Sequence, residues 1–349
     1  MSGAGSTLGL TARLDQGPLV CAEGYLFEFE RRGYLQAGAF VPEIVLDHPE
    51  LVRALHEEFV HAGSDVVLAF TYYGHREKLR MIGKEDLLEP LNRDALALAV
   101  EVAQRTGTLS AGDLCNTNVF GPDRASQLAV RSMFDEQMSW IAAGGADFVV
   151  AETFAYGAEA LLALEAIKEA GLPAVVTLAI HQAEETRDGW SPEDACRRLA
   201  DAGADVVGLN CIRGPSTMLP LIARIRASVD VHVAALPVPY RTTAPQPSFQ
   251  SLRDPGCDCL PDGRPFPTAL DPFTCNRYEI AEFARAAHGL GVNYLGVCCG
   301  AGAHHIRAMA ESLGKTPAAS RFSPDMSKHA FLGSDALLKA HNRAYAENL

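Results

Sequence analysis

A short phrase recurs four times along this chain and constrains its fold more than any other feature. In each copy a helix-like segment is followed by a glycine, then by Asp or Asn, and then by an apolar, strand-prone run. Glycine readily adopts the left-handed conformation that ends a helix, and a continuous apolar run is typical of a strand buried on both faces of a parallel sheet. Each phrase therefore predicts a joint between a helix and a parallel strand. The copies are HAGSDVVLAF (61–70), GGADFVVAET (144–153), DAGADVVGLNC (201–211) and LGVNYLGVCC (290–299).

The spacing of these phrases predicts further strands between them. Asp65, Asp147, Asp205 and Asn293 are 82, 58 and 88 residues apart, which is about twice the roughly 30 residues of one strand and helix unit. Eight alternating strands and helices in a chain of 349 residues predict a (β/α)₈ TIM barrel. An open doubly wound sheet is the alternative, but no strand precedes the Gly-x-Gly-x-x-Gly turn of a dinucleotide fold. The additional strands are PLVCAEG (18–24), TLSAGDLC (108–115), AVVTLAI (174–180) and VHVAALP (231–237).

Helix start signals support this alternation. Pro49 suits the first turn of the amphipathic segment 48–63, and Ser191 with Pro192 suits the N-cap and first position of a helix in SPEDACRRLADAG (191–203).

Two segments do not fit the barrel. Residues 237–276 are so rich in proline that we expect a long irregular loop after strand seven, acting as a lid or an oligomer contact. After about residue 314 the apolar content is low until one last short helical pattern. We therefore predict a barrel domain at 1–314 and a C-terminal extension at 315–349, which is either an arm that packs on another subunit of a homodimer or homotetramer, or a flexible tail.

The charge and composition restrict the class of partner. The chain has 43 acidic residues against 30 Lys and Arg, a net charge of −13, which disfavours nucleic acid and anionic lipid. No window reaches the roughly 18 apolar residues of a membrane span, and the N-terminal residues lack a signal-peptide pattern. We expect a cytoplasmic protein with a small-molecule partner. Its nine cysteines then indicate reduced thiols, available for metal binding or catalysis.

The C-terminal ends of the predicted strands define a candidate site, because barrel enzymes place their catalytic residues there. Three thiols, Cys211, Cys298 and Cys299, meet at this mouth. Three thiolates with an open fourth position are typical of catalytic zinc, although buried structural thiols are the alternative. The residues at the strand ends are Glu23, Thr71, Tyr72, Tyr73, Cys115, Glu152, His181, Asn210, Cys211, Pro239, Tyr240, Cys298 and Cys299.

The adjacent pair Cys298 and Cys299 reaches one metal only if the strand ends there, and Gly300 permits the necessary turn. Zinc held by three thiolates is a poor Lewis acid for hydrolysis but suits the activation of a fourth thiol. The predicted chemistry is alkyl transfer to sulfur.

Other candidate ligands are weaker. Cys257 and Cys259, with the distant Cys275, form a rival metal constellation that falls short of four ligands. His304 and His305 follow the cysteine pair on a helix, where we expect surface or supporting roles.

Two motifs resemble a known family. GLNC (208–211) and GVCCGAGAHHIRAMAE (296–311) are similar to the zinc motifs of the homocysteine S-methyltransferases, and segments 27–79 and 327–349 resemble the branch that uses betaine. The resemblance implies a (β/α)₈ barrel in which Cys211, Cys298 and Cys299 bind Zn²⁺ with homocysteine sulfur as the fourth ligand. It also implies catalytic roles for Tyr73 and Glu152, and a substrate site of Glu23, Gly24, Phe40, Tyr72, Tyr73, Glu152, Thr153 and Asn210.

Within the implied site, Glu152 binds the homocysteine amine, and Phe40, Tyr72 and Tyr73 provide ring faces for a methylated onium donor. The chain departs from the family where Ala22-Glu23-Gly24 replaces the usual Asp-Gly, and from the betaine branch at Phe40 and Thr153. We expect glycine betaine as the donor, with dimethylsulfoniopropionate or S-methylmethionine as alternatives. A barrel lyase or hydrolase that uses Glu23 and Glu152, or a protein that binds these ligands without turnover, remains an alternative from another class.

Overall fold

Eight parallel strands close into a barrel in the computed structural model of the chain, which describes residues 8–35, 39–256, 261–335, 337 and 340–348. Each strand pairs with the next along the chain, and the last pairs with the first. The predicted barrel is thus confirmed, and the open sheet is wrong. Every predicted strand is present: β1 Leu19–Ala22, β2 Val66–Leu68, β3 Leu109–Cys115, β4 Phe148–Phe154, β5 Ala174–Leu178, β6 Val206–Asn210, β7 His232–Leu236 and β8 Tyr294–Val297.

Helices surround the barrel and begin where the sequence signals indicate. Pro49 is the first residue of its helix, and the Ser191 side chain accepts a hydrogen bond from the backbone N–H of Asp194 at 3.2 Å. The helices are α1 Leu10–Leu14, α2 Tyr25–Arg31, α3 Ile44–Asp47, α4 Pro49–Ala62, α5 Arg76–Met81, α6 Leu88–Thr106, α7 Arg124–Gly144, α8 Gly157–Glu169, α9 Pro192–Asp201, α10 Pro215–Arg226, α11 Arg277–Gly289, α12 Ala303–Ser312 and α13 Ala340–Ala346.

The acidic residue of the recurring phrase joins neighbouring strands at the N-terminal end of the barrel. In three copies its carboxylate accepts a hydrogen bond from the backbone N–H of the preceding strand: Asp65 from Val20 at 2.7 Å, Asp147 from Ser110 at 2.8 Å and Asp205 from Ala174 at 2.8 Å. In the fourth copy the backbone carbonyl of Asn293 accepts from Leu19. The glycine of each copy has a positive φ, as predicted for a helix end: Gly63, Gly145, Gly203 and Gly291.

Large side chains fill the end of the barrel opposite the predicted site. Phe148 and Tyr294, at the starts of β4 and β8, pack edge to face with ring centroids 6.4 Å apart, and both are fully buried. This packing closes one end of the barrel and leaves the C-terminal ends of the strands to form a site.

The loop after β7 and the C-terminal extension have the irregular character that the sequence predicts. Within the described residues, the regular structure of segment 237–276 is limited to isolated β-bridges and to the short 3₁₀ turns Phe249–Ser251, Pro261–Gly263 and Asp271–Phe273. The last helical pattern is α13. Lys315, at the start of the extension, forms an ion pair with Asp65 at 2.8 Å. The division of the chain at residue 314 and the role of the extension as an oligomerisation arm stay predictions. Among the described helices, none has the length and hydropathy to cross a membrane.

The hydrogen bond from Ser110 to Asp147 can be tested by truncation. Asp147→Ala should lower the free energy of unfolding by about 1–2 kcal/mol, because the backbone N–H of Ser110 loses a charged acceptor. Denaturant titration would measure the change. Asp135→Ala, which removes an exposed carboxylate paired with Arg131 on α7, should cost less than about 0.5 kcal/mol. Equal effects of the two variants would contradict a structural role for the phrase.

Candidate active site and metal centre

Three cysteine side chains meet at the C-terminal mouth of the barrel, as the sequence predicts. Cys211 follows β6, and Cys298 and Cys299 follow β8; the first two are buried and the third is half-buried. The three sulfur atoms lie within 4.8 Å of one another, and those of Cys298 and Cys299 are 3.9 Å apart. Two sulfurs bound to one tetrahedral zinc at about 2.3 Å are about 3.8 Å apart. The spacing of this pair therefore fits one shared metal ion.

Backbone turns explain how these thiols converge. Cys211 and Ile212 both have positive φ, 55° and 58°, so the chain turns sharply as β6 ends. Gly300 has a φ of 96°, and a Cβ atom there would lie 2.2 Å from the hydroxyl of Tyr240. The predicted turn after the cysteine pair is present, and glycine is required both for its backbone conformation and for the close approach of Tyr240.

The electrostatics of the cluster also suit a cation. Hydrogen bonds from the thiols of Cys298 and Cys299 hold the pKa of Cys211 well below its usual value. Bonding to Cys211 raises the pKa of Cys298 and Cys299 well above the usual value. The protein alone therefore favours one thiolate here. A divalent cation bound by all three sulfurs would compensate the additional negative charge.

Asn210 organises the polar groups beside the thiols. Its Nδ2 donates hydrogen bonds to Glu152 Oε2 at 2.6 Å and to Thr153 Oγ1 at 2.8 Å, and lies 3.4 Å from Glu23 Oε2. Its Oδ1 accepts from the backbone N–H of Thr153 at 2.9 Å. The same Nδ2 lies 3.9 Å from Cys298 Sγ. The buried amide thus fixes two carboxyl groups next to the cysteine cluster.

The end of β4 is irregular, and this irregularity presents Glu152 and Thr153 to the site. The pairing register of β4 with β5 shifts between Ala151 and Phe154, and Thr153 has a φ of 61°. Thr153 Oγ1 also donates to Glu152 Oε2 at 2.8 Å. Burial raises the pKa of Glu152 to about 7, and hydrogen bonds from Thr153 and Asn210 limit the rise.

At the end of β1, where Ala22-Glu23-Gly24 stands in place of the usual Asp-Gly, an acidic side chain still lies in the site. Glu23 is buried, and its Oε1 atom has no hydrogen-bond partner in the described part of the chain. Burial, with repulsion from Glu152 and Asp113, raises the pKa of Glu23 well above its usual value. Gly24 follows, and a Cβ atom there would lie 2.5 Å from the carbonyl oxygen of Ala301. Gly24 is therefore needed for close approach of two backbone segments.

Asp113 is a buried carboxyl group that the sequence reading missed. It lies on β3 two residues before Cys115, and its Oδ1 has no hydrogen-bond partner among the residues described. Burial raises its pKa well above the usual value. The signal was available, since residues 113 and 115 share one face of a strand. Asp113 lies inside β3, however, two residues before the strand end at which catalytic residues of a barrel are expected.

An aromatic cavity of about 270 Å³ lies on the other side of the thiols. Tyr72 and Tyr73 have ring centroids 4.4 Å apart, and Tyr73 has a φ of 62° with its backbone N–H donating to Cys115 Sγ. Lys78 Nζ lies 4.0 Å from the ring centroid of Tyr73 and so covers one of its faces. The predicted residues Phe40, Tyr72, Tyr73, Thr153, Cys211 and Cys299 all line this cavity.

Several cavity residues were not predicted. Four of them are aromatic and come from loop positions beyond the predicted strand ends, including the proline-rich loop after β7. The fifth, Arg187, lies on the loop between β5 and α9. These residues are Phe120, Tyr156, Arg187, Phe249 and Phe266.

The weaker ligand candidates lie elsewhere. His305 Nε2 bonds to the carbonyl of Cys275 at 2.8 Å, and its Nδ1 accepts from the backbone N–H of Gly302, so it supports a helix start. His304 is exposed, as expected for a surface role, and neither histidine is part of a metal-compatible group among the described residues. Cys257 and Cys259 lie outside the described residues, so the rival constellation with Cys275 stays a prediction.

Comparison with known proteins agrees with this geometry. A family model described as homocysteine S-methyltransferase matches residues 24–313. The chain belongs to the homocysteine S-methyltransferase family. The resemblance seen in the cysteine motifs is thereby confirmed over most of the chain. Membership of this enzyme family also disfavours an unrelated barrel lyase or hydrolase.

Two curated members of the family are similar to this chain over nearly its whole length. Betaine–homocysteine S-methyltransferase 1 of Xenopus tropicalis is 35% identical over 355 residues, covering 99% of this chain and 84% of the relative. S-methylmethionine–homocysteine S-methyltransferase of Mus musculus is 34% identical over 343 residues, covering 96% and 89%. The two relatives differ in their named donors but are almost equally similar to this chain.

A solved structure of a family member shares the fold. The metallated form of the homocysteine methyltransferase MmuM from Escherichia coli superposes with a TM-score of 0.67, at 17% identity, over 86% of this chain and 98% of its own. At this identity the likeness concerns the barrel architecture.

The network centred on Asn210 gives a stability prediction. Asn210→Ala should lower the free energy of unfolding by about 2–3 kcal/mol, because the buried N–H of Thr153 loses its acceptor and the carboxyl of Glu152 loses one of its two donors. Denaturant titration measures the change. The matched control is Asn116→Ala, which removes a half-buried amide bonded to the hydroxyl of Tyr72 at 3.3 Å and should have a smaller effect. If both variants are equally stable, Asn210 does not organise the site.

Proposed function

We propose that this protein is a zinc-dependent methyltransferase that moves a methyl group from an onium donor, first of all glycine betaine, to the thiolate of homocysteine. The observation that carries the proposal is the position of the three thiols. They lie between a recess lined by carboxyl groups and a cavity lined by aromatic rings. The amine of an amino-acid thiol and a methylated cation would thus have separate compartments that meet at the sulfur cluster.

Cys211, Cys298 and Cys299 are the residues that would hold zinc. Their softness, their number and their convergence at a strand mouth support this assignment. When bound, zinc with three thiolates lowers the pKa of a fourth sulfur ligand and keeps it as a nucleophilic thiolate. Glu152 and Glu23, which both lie within reach of the Asn210 amide, would bind the homocysteine amine on one side of that sulfur.

The aromatic cavity provides the donor site. The faces of Phe40, Tyr72 and Tyr73 attract a quaternary ammonium by about 0.5–2 kcal/mol for each ring that contacts it. Lys78 already covers one face of Tyr73, so a donor would have to contact this ring from another side. We propose that Tyr73 acts by holding the donor methyl group toward the thiols.

The transfer itself needs alignment more than acid or base chemistry. The thiol of homocysteine first loses its proton to solvent water, and the sulfur then attacks a methyl carbon of betaine in line with its C–N bond. The C–S bond forms as the C–N bond breaks, with its electron pair on nitrogen, to give methionine and dimethylglycine. Holding the sulfur and the methyl carbon at contact distance provides most of the acceleration. The nitrogen loses its fixed charge in this step, so the rings hold the product amine less tightly than the donor.

A sulfonium donor is the second candidate. A relative named for S-methylmethionine covers 96% of this chain at 34% identity, and Phe40 and Thr153 differ from the betaine branch. The same displacement would then break a C–S⁺ bond. Methionine formation with betaine, S-methylmethionine and dimethylsulfoniopropionate, measured side by side, identifies the donor.

The metal assignment predicts a defined stoichiometry. Purified protein should contain about one zinc per chain, and Cys299→Ala should lose most of it, because a catalytic site with three protein ligands becomes a weak site with two. Atomic absorption measures the content. Cys275→Ala, a buried thiol outside the cluster, should retain zinc and activity. Zinc retained in Cys299→Ala but lost in Cys275→Ala would favour the rival site.

Arg187 adds a constraint on the donor. Its guanidinium lies at the cavity wall, with its central carbon 5.9 Å from the ring of Tyr156. In the described structure it forms no ion pair. Its loop is held by a hydrogen bond from Arg187 N–H to Ala155 O at 2.7 Å and by Asp188, which caps α8. A cation at the wall repels a plain onium ion and attracts a donor that also carries a carboxylate.

Arg187→Gln should therefore raise the KM for glycine betaine about 3- to 10-fold, the range for a partly exposed charged hydrogen bond. The kcat and the KM for homocysteine should change little. Arg197→Gln, an exposed arginine paired with Asp194 on α9, is the matched control. Wild-type protein that uses choline as well as betaine would show that no carboxylate is recognised.

A further inference from the structure

Three carboxyl groups surround a small recess beside the thiol cluster. Glu23, Asp113 and Glu152 are at most 5% exposed, and all three line this recess together with Cys298 and Cys299. No Lys, Arg or His side chain lines it in the described structure. Buried carboxyl groups without a cation repel one another and are costly to maintain. The recess therefore favours the binding of a positively charged group.

Two carboxyl oxygens in the recess are left without partners. Asn210 bonds to Glu152 Oε2 and lies near Glu23 Oε2, while Thr71 Oγ1 lies 3.5 Å from Asp113 Oδ2. Glu23 Oε1 and Asp113 Oδ1 have no hydrogen-bond partner among the described residues. Since buried polar atoms are normally bonded, two unpaired acceptors in one recess indicate a missing donor.

The size of the recess restricts that donor. Its volume is about 20 Å³, which is room for a single group of the size of a water molecule. An ammonium group has this size, carries a positive charge and offers three N–H donors. The remaining walls of the recess include Tyr25, Phe70 and Tyr72. Because the volume is so small, a whole amino acid does not fit, and only its amine would enter.

We propose that Asp113 binds the ammonium group of the acceptor together with Glu23 and Glu152, and that it makes a free amine a requirement for the acceptor. The inference rests on the proposed methyl transfer to homocysteine, whose sulfur would lie at the adjacent cysteines. Glu23, Asp113 and Glu152 belong to β1, β3 and β4 or the residues that follow them, so they approach the amine from different directions. Asp113 is thus a specificity-determining residue.

Direct binding to the wild-type protein provides the first test. Calorimetry on zinc-loaded protein would compare L-homocysteine with 4-mercaptobutanoate, which has the same thiol and carboxylate but no amine. L-homocysteine should bind about 10- to 100-fold more tightly, the range expected for charged hydrogen bonds in a buried site. Equal affinities would overturn the proposal, whatever the behaviour of any variant.

Substitution of Asp113 provides the second test. Asp113→Asn should weaken L-homocysteine about tenfold or more, while the affinity for 4-mercaptobutanoate and the zinc content stay unchanged. Asp147→Asn makes the same chemical change just before the neighbouring strand β4, at the opposite end of the barrel, and it should leave both affinities unchanged. An equal loss for both thiols in Asp113→Asn would indicate a structural role and overturn the assignment.

Two further outcomes separate this inference from the proposed function. Wild-type protein that forms no methionine with any donor, yet prefers homocysteine over the thiol without an amine, would refute the methyl transfer and keep the ammonium site. A second equivalent of zinc per chain that disappears in Glu23→Gln would instead assign the recess to a metal ion, because Glu23, Glu152 and Cys298 also offer ligand atoms within 4.8 Å.

Discussion

Hydrogen bonding of β8 to both β7 and β1 is the interaction on which the rest of the structure depends. Its register pairs Ala22 with Val297, so the residues that follow, Glu23 and Cys298, emerge next to each other. On the other side, β6 pairs with β7 as far as Asn210, which brings Cys211 to the same mouth. Chemistry-bearing residues separated by almost the whole chain thus become neighbours because the sheet is closed.

The polar interior at this mouth is held by few groups. Asn210 contacts two carboxyl groups and the irregular end of β4, and the positive φ angles of Thr153 and Cys211 turn the backbone at two strand ends. Such strain persists only when the surrounding structure fixes it. Here the closed barrel and the hydrogen bonds of the Asn210 side-chain amide provide that support. The result is a rigid thiol cluster between a small carboxyl recess and a larger aromatic cavity.

The strands and the metal-compatible cysteines could be predicted because both have local signals. A glycine, an Asp or Asn and an apolar run mark four of the joints, and Cys211, Cys298 and Cys299 directly follow two of these runs. Asp113 and Arg187 lie away from the strand ends, where these signals point. Asp113 lies within a strand whose burial is complete on both faces, and Arg187 lies on a loop whose position depends on Ala155 and Asp188. Neither the depth of a strand residue nor the course of a loop follows from neighbours in sequence.

The sequence by itself determined the repeating strand and helix units, and with them the barrel and the order of residues at its mouth, because helix ends and buried strands depend on local conformational preferences and on hydropathy. Only the tertiary structure decided which of those residues share a compartment. Closure of the barrel and the register of its strands place Glu23 with Asp113 and Glu152, and Phe40 with Tyr72 and Tyr73. Contacts of this kind join residues from different strands, and their distances are set by the packing of the whole barrel.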